Sequence, residues 1–269
     1  MNNDLTFLIV SYDGYSDMWN TFFECKEKYW NDCPYEFVLA NNTIEYVRRD
    51  VRVINCGKDA QWSTRTRMGL EAINTQYVCF LLEDFFISED VDNQKIERAV
   101  KIMRDNGINY YKLMSLSKIR TPYFDKANKI RTIPANLKYG ISLLAAIWER
   151  QHFLSLIGPE DYNPWKFEID RNVDVDNSRD DKSLVGVYDE RNLLNICHMV
   201  VQGKYLPSAV STMTKKGIII STDKRGIHST FFEKKNTLKD TFFPILRKSK
   251  LAGFIANIIG IETVTNKNK

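Results

Sequence analysis

No apolar run in this 269-residue chain approaches the roughly 18 to 20 residues needed to cross a bilayer. The start, Met1-Asn2-Asn3-Asp4, has neither a basic stretch nor a small-residue cleavage site ahead of the first apolar segment, so a secretory leader is not expected. Cysteines are few, odd in number and scattered (Cys25, Cys33, Cys56, Cys79, Cys197), and none stands in a CxxC pair. That pattern excludes a disulfide framework or a zinc ribbon and predicts reduced thiols in a cytoplasmic protein. Nucleotide and hydrolase signatures are missing as well. No GxGxxG follows the first strand, and GxxxxGK[ST], GxSxG and HExxH are absent. Dinucleotide oxidoreductases, P-loop enzymes, serine hydrolases and zincins are therefore disfavoured. Glycine and proline are modest at 12 and 7, with no repeat or low-complexity tract.

What is present is ordinary for one globular α/β domain: 43% hydrophobic and 27% charged residues. Aromatics are plentiful, with 15 Phe, 13 Tyr and 5 Trp, which fill cores and also form platforms for bases and sugar rings. Leu5–Val10, 35–40, 51–54 and Tyr77–Leu82 are apolar, β-prone runs, and 17–30, 64–74 and 92–104 carry apolar residues at helical spacing. This β-α-β-β-α-β-α alternation predicts a mostly parallel central sheet with helices on both faces, a Rossmann-like α/β fold. Beyond Gly107 the alternation loosens. Residues 110–117 read as a strand, 118–136 as a long polar loop, 143–157 as a helix and 184–188 as a strand.

In an open α/β sheet, ligands sit beyond the carboxyl ends of the strands. Three strands end there in polar groups: Ser11-Tyr12-Asp13, Asn41-Asn42 and Glu83-Asp84. A carboxylate pair closing the most apolar strand is placed to hold Mg2+ or Mn2+ against a diphosphate, since hard oxygens suit those ions.

The segments Ser11–Tyr15, Trp62–Arg65 and 77–86, followed in order by 145–148, 164–168 and 203–206, together resemble GT-A glycosyltransferases. More narrowly, they are similar to a bacterial group associated with capsule and O-antigen (lipopolysaccharide) synthesis, over most of residues 5 to 225. The resemblance implies transfer of a hexose-type sugar from a nucleotide-sugar donor, with UDP favoured, to a glycan or lipid-linked acceptor. It implies that Tyr12 and Asp13 hold base and ribose with help from Asn41, and that Trp62 and Arg65 line the donor site. Asp84, beside Glu83, takes the place of the metal-binding DxD motif, although Leu82-Glu83-Asp84-Phe85 has no second aspartate two positions away.

An inverting transfer needs a carboxylate to take the acceptor hydroxyl proton. Glu168, beside Trp165 and Phe167, is the preferred base, with Asp161 second and Trp165 as the acceptor platform. His198 and Lys204 are candidates to neutralise the leaving diphosphate, with Arg225 behind them. From Lys215 to Lys269, twelve basic residues face four acidic ones, a local net of +8. Leu251, Phe254, Ile255, Ile258 and Ile259 fall on one helical stripe there. The tail at 238–269, after a domain at 1–237, is thus expected to lie on the inner face of an anionic membrane as a peripheral contact. Nucleic acid is not expected as a partner, because that tail lacks interleaved aromatics. Two rival readings are a non-catalytic partner subunit with the same fold and a nucleotidyltransferase. The latter class carries a Gly-rich basic loop after the first strand, which Ser11–Tyr15 does not resemble.

Overall fold

A computed structural model describes residues 4–115, 120–177 and 180–233. The described residues fall into two compact units: those within 4–199 together with 216–219, and 200–215 together with 220–233. The expected tail at 238–269, with its basic cluster and apolar stripe, lies outside the described residues, as does the boundary at 237.

The first unit opens with β1 (Leu5–Val10), every residue of which is buried. Its two parallel neighbours explain this: a strand flanked on both edges and covered on both faces reads as an uninterrupted apolar run. A short 3-10 turn (Asp13–Tyr15) leads into α1 (Ser16–Tyr29), then β2 (Glu36–Asn41), β3 (Val51–Asn55), α2 (Trp62–Glu71) and β4 (Tyr77–Leu82). β5 (Phe85–Ile87) is followed by α3 (Asn93–Asn106). The Asp92 side chain caps α3 by accepting the Gln94 N–H, and Gly107 ends it at φ 62, a left-handed conformation that costs glycine little.

After β6 (Tyr110–Lys112) come β7 (Tyr123–Asp125), β8 (Ile130–Pro134), β9 (Ala146–Glu149), α4 (Arg150–Ile157), α5 (Pro164–Asn177), β10 (Leu184–Asp189) and β11 (Ile196–His198). Nine strands form one sheet in the order β3-β2-β1-β4-β9-β6-β10-β8-β7. β9 and β8 run against their neighbours, giving a mixed, mainly parallel α/β sheet with helices on both faces. On one face Leu8, Val38 and Phe80 pack with Trp62 of α2, Phe153 of α4 and Phe167 of α5. On the other, Phe7 stacks on Phe37 at 5.0 Å, and Phe23 of α1 and Trp30 just after it close over them. α2 approaches the sheet closely at Gly69, where an added Cβ would lie 2.7 Å from a Leu8 methyl.

Three expectations need correction. Residues 118–136 are not one loop, because β7 and β8 pair antiparallel within them and β8 continues onto β10. Residues 143–157 are not one helix. Ala146–Glu149 is instead a buried strand between β4 and β6, and the helix begins only at Arg150. Glu149 divides the two by accepting the His152 N–H at 2.6 Å, an N-cap that periodicity alone hides. The strand at 110 stops at Lys112. α5 is a helix that apolar spacing does not announce, although Pro164 at its first position is a helix-start signal.

In the second unit, β12 (Val200–Val201) and β13 (Lys204–Tyr205) form a hairpin. Gln202 and Gly203 turn it at φ 49 and 77, the pair of positive angles a tight right-twisted hairpin requires. α6 (Pro207–Lys215) follows. Lys204 and Arg225 lie in this unit, and Arg225 donates to the Gly203 carbonyl at 3.4 Å. Among the described residues, no helix is long and apolar enough to cross a membrane.

Candidate functional site

Parallel pairing sets Val10 beside both Ala40 and Leu82, so β1, β2 and β4 end level with one another. Ser11–Asp13, Asn41-Asn42 and Glu83-Asp84 therefore emerge along one sheet edge. A cleft of about 300 Å3 opens there beside the N-terminus of α2, bordered by Tyr12, Asn42, Lys58, Trp62, Arg65 and Pro164. The structure thus brings Tyr12, Trp62 and Arg65 together.

Tyr12 is 45% exposed and forms the aromatic wall. Its ring rests against Tyr15 at 5.1 Å, with the Arg65 guanidinium 5.9 Å from its centroid. Gly14 makes this placement possible: a Cβ there would fall 2.3 Å from the Tyr12 ring.

Arg65 is nearly buried at the floor of the cleft. It donates to the Ala60 carbonyl and, at 3.4 Å, to Asn42 Oδ1. Burial draws its pKa down, opposed by the negative charges of Glu83, Asp161 and Asp13. Its Nε is buried without a hydrogen-bond partner, and so is Nε1 of Trp62. Trp62 is largely a core residue, with its ring 5.5 Å from Phe167 and 6.1 Å from Phe80. Buried donors left unpaired are rare and cost about 1–3 kcal/mol each. Two of them at one cleft are a reason to look for a ligand that brings acceptors.

The remaining candidates are spread differently from the expectation. Asp13 braces a loop: it accepts from the Thr43 hydroxyl at 2.6 Å and from the N–H groups of Thr43 and Asn42. Burial raises its carboxyl pKa, but the Thr43 hydroxyl and the loop N–H groups outweigh that and hold it below the usual range. Asn41 is fully buried and donates to the Ile44 carbonyl at 2.7 Å, away from the cleft lining. Its neighbour Asn42 lines the cleft instead, donating to the carbonyls of Gly57, Lys58 and Ala60 and so shaping the loop that presents Lys58. One position of register separates the two asparagines, which strand periodicity does not resolve. Nothing in the sequence pattern marks Lys58.

Neither expected base stands as a simple proton acceptor at the cleft. Asp161 serves as a surrogate cap for α2, accepting from Gln61 N at 3.1 Å and Ser63 Oγ at 3.5 Å. Burial raises its pKa, but the bonds from Thr64, Gln61 and Ser63 together hold it low. Glu168 accepts the Leu143 N–H at 3.1 Å and lies within electrostatic range of Lys112. Lys112 itself is wholly buried at the end of β6, and sequence reasoning misses it although a lysine between Tyr110-Tyr111 and Leu113-Met114 is a visible signal. Trp165, one turn earlier on α5, is 68% exposed beside the Asn163-Pro164 rim of the cleft.

Glu83 and Asp84 are both nearly buried but serve different partners. Glu83 lies in the electrostatic surroundings of Arg65, whereas Asp84 Oδ2 is 2.9 Å from His198 Nε2. Among the described residues, no group of three or more His, Cys, Asp or Glu side chains is arranged to hold a metal. Of this ion-paired couple, the Asp84 carboxylate is the group whose oxygens suit Mg2+ or Mn2+ beside a diphosphate. Such ions commonly take only one or two protein groups beside substrate phosphates. Lys204 belongs to the second unit and is not among the cleft-lining residues.

No protein-family model matches the chain, and no curated protein sequence matches it. Several solved structures overlap loosely. S. aureus TarS residues 1–349 align at 9% identity and TM-score 0.42, covering 70% of this chain and 60% of that one. The chain therefore spans less than two thirds of that protein. A 4-diphosphocytidyl-2C-methyl-D-erythritol synthase from Anaerococcus prevotii aligns at 8% identity and TM-score 0.41, covering 80% and 96%. A CMP:2-keto-3-deoxy-manno-octonic acid synthetase complexed with CTP aligns at 12% identity and TM-score 0.39, covering 70% and 88%. Overlaps this loose do not discriminate a glycosyltransferase from a cytidylyltransferase.

Proposed function

We propose that this protein is a glycosyltransferase that takes a sugar from a nucleotide-diphosphate donor, UDP-sugars being favoured, and passes it to a glycan or lipid-linked acceptor of surface polysaccharide synthesis. The observation that carries the reading is the cleft beyond β1 and β2. There an exposed aromatic ring, Tyr12, stands beside a buried arginine whose Nε has no partner. A flat ring suits a nucleobase, and Arg65 with Lys58 suits the two phosphates as charge leaves with them. For the acceptor, Trp165 offers a sugar-sized aromatic face at the same rim.

Asp84, its carboxylate oriented by His198, would hold a divalent cation, which supplies positive charge to the departing diphosphate when bound. The donor class and the surface-polysaccharide setting rest on the sequence resemblance. A nucleotidyltransferase is less well supported, because the turn after β1 carries one glycine and no cation between Ser11 and Tyr15.

The test is donor turnover by the purified chain. Slow release of UDP from a UDP-sugar, abolished in Arg65→Ala, is expected. A chain that neither hydrolyses nor transfers from any nucleotide sugar would sink the proposal.

A further inference from the structure

A second cavity, of about 340 Å3, lies in the first unit and shares no lining residue with the cleft at Tyr12 and Arg65. It is bordered by α4, α5, the turn from Asn106 to Asn109 between α3 and β6, the start of β10, and the segment from Pro134 to Ile141. Its walls are largely aliphatic, including Ile108, Leu137, Ile141, Leu156, Val175 and Val185. Cavities of about 300 Å3 or more with apolar walls and a few polar groups are the usual form of a small-molecule site.

Three observations mark this cavity as more than a packing gap. Arg171 lines it, and the Arg171 Nε is buried with no hydrogen-bond partner. Its Nη2 pairs with Asp174 at 3.0 Å, and the guanidinium lies over the Phe167 ring. Tyr139 and Leu184, both on the lining, are 59% and 47% exposed, so two large apolar side chains stand uncovered there. Tyr139 also holds a left-handed backbone at φ 57, unusual for a bulky residue. That conformation is fixed from both sides. The buried Lys112 donates to its carbonyl at 3.3 Å, and its N–H donates to Asn172 Oδ1 at 3.1 Å.

The charge pattern narrows the ligand. Asp174 neutralises Arg171 at the cavity, and burial lowers the pKa of His152, also on the lining, which disfavours its charged form. An anionic head would meet the Asp174 carboxylate with no surplus cation. A neutral oxygen would accept from Arg171 Nε without that repulsion. At about 30 Å3 per water-sized group, the volume admits roughly eleven non-hydrogen atoms. We infer that this cavity is a binding site for a neutral amphiphile of that size, an aliphatic or single-ring body carrying one hydroxyl, ether or carbonyl oxygen that accepts from Arg171.

The experiment uses 1-octanol and octanoate as probes at sub-millimolar concentration, with melting temperature and calorimetric titration as readouts on the full chain. Octanol is expected to raise the melting temperature and to bind at least tenfold more tightly than octanoate. Arg171→Met should weaken octanol roughly five- to tenfold, the loss expected for one hydrogen bond of about 1 kcal/mol. Leu156→Trp and Val185→Phe each fill the cavity and should abolish binding. Whichever of the two keeps the wild-type circular dichroism spectrum and melting temperature decides the point. Absence of octanol binding to the wild type, binding that survives cavity filling, or preference for octanoate would each overturn the inference.

Discussion

Asp84 Oδ2 and His198 Nε2 stand 2.9 Å apart, joining the turn after β4 to the last residue of β11. The contact depends on β11 pairing antiparallel with β5, which sets His198 opposite Phe85, and on the Met199 N–H donating to the Asp84 carbonyl at 2.9 Å. A histidine in an apolar stretch and an acid closing an apolar strand thus become neighbours. If Asp84, oriented by His198, holds a divalent cation, His198→Ala and Asp84→Ala will each weaken Mn2+-dependent nucleotide binding by about tenfold or more while leaving metal-free binding unchanged. Equal loss with and without Mn2+ would assign the pair a structural role instead.

Arg65 should be irreplaceable even by lysine. Its planar fork reaches the Ala60 carbonyl and Asn42 Oδ1 and leaves Nε unpaired, and an ammonium has no equivalent geometry. With about 1.5–3 kcal/mol for a hydrogen bond to a charged group, Arg65→Lys should raise the nucleotide Kd roughly ten- to hundredfold. Titration calorimetry with UDP reads this directly, and an unchanged Kd would remove Arg65 from the site.

Gly14→Ala should act through Tyr12. The added Cβ meets the Tyr12 ring, which must swing out of the cleft, while the core beneath is untouched. Nucleotide affinity should fall severalfold with little change in melting temperature. A fall in stability with affinity preserved would contradict this account.

Much of this is legible in the sequence, for identifiable reasons. Uninterrupted apolar runs such as Leu5–Val10 and Tyr77–Leu82 are what doubly covered strands require, so the sheet and its ligand edge follow from them. The choice between Asn41 and Asn42 and the pairing of Asp84 with His198 do not follow. One depends on a single step of register and the other on a long-range strand pairing. Asp161 and Asp13 resemble chemistry because a carboxylate near a cleft looks the same in sequence whether it meets a ligand or main-chain N–H groups. Beyond Gly107, Ala146–Glu149 merges with α4 because a buried strand running directly into a helix leaves no break in hydrophobicity.

Asp161 therefore predicts a stability effect and not a chemical one. Asp161→Ala removes the acceptor for Gln61 N–H and should cost about 1 kcal/mol, the usual magnitude for a lost helix cap. Because its folded pKa is held below the unfolded value, the contribution is present above the unfolded pKa of about 4 and fades as pH falls through the folded one. Urea unfolding at pH 7 and pH 3 should show wild type and variant converging at the lower pH, with donor binding at pH 7 unchanged.

Lys112 also gives a stability that rises with pH, but because its charged form is disfavoured in the fold. Burial lowers its pKa to about 8, although Glu168 opposes the shift. Between about pH 8 and the unfolded value near 10.4, the unfolded chain holds the extra proton, so this group's contribution to stability rises with pH. Lys112→Met should remove that rise. The stability difference between variant and wild type, measured by urea unfolding, should favour the variant most at pH 7.5 and shrink by pH 9.5. A difference independent of pH would mean the lysine is not buried as described.

The central claim is a nucleotide-diphosphate site at the Tyr12–Arg65 cleft, and a thermal-shift titration tests it most directly. UDP, GDP, dTDP and CDP are each added with and without Mn2+ to wild type, Arg65→Ala and Asp84→Ala. A ligand that binds only the folded chain must raise its melting temperature by an amount set by concentration over Kd. The account predicts a shift with UDP, enlarged by Mn2+, lost in Arg65→Ala and stripped of its metal dependence in Asp84→Ala. No shift with any nucleotide, or a shift that Arg65→Ala retains, would contradict it.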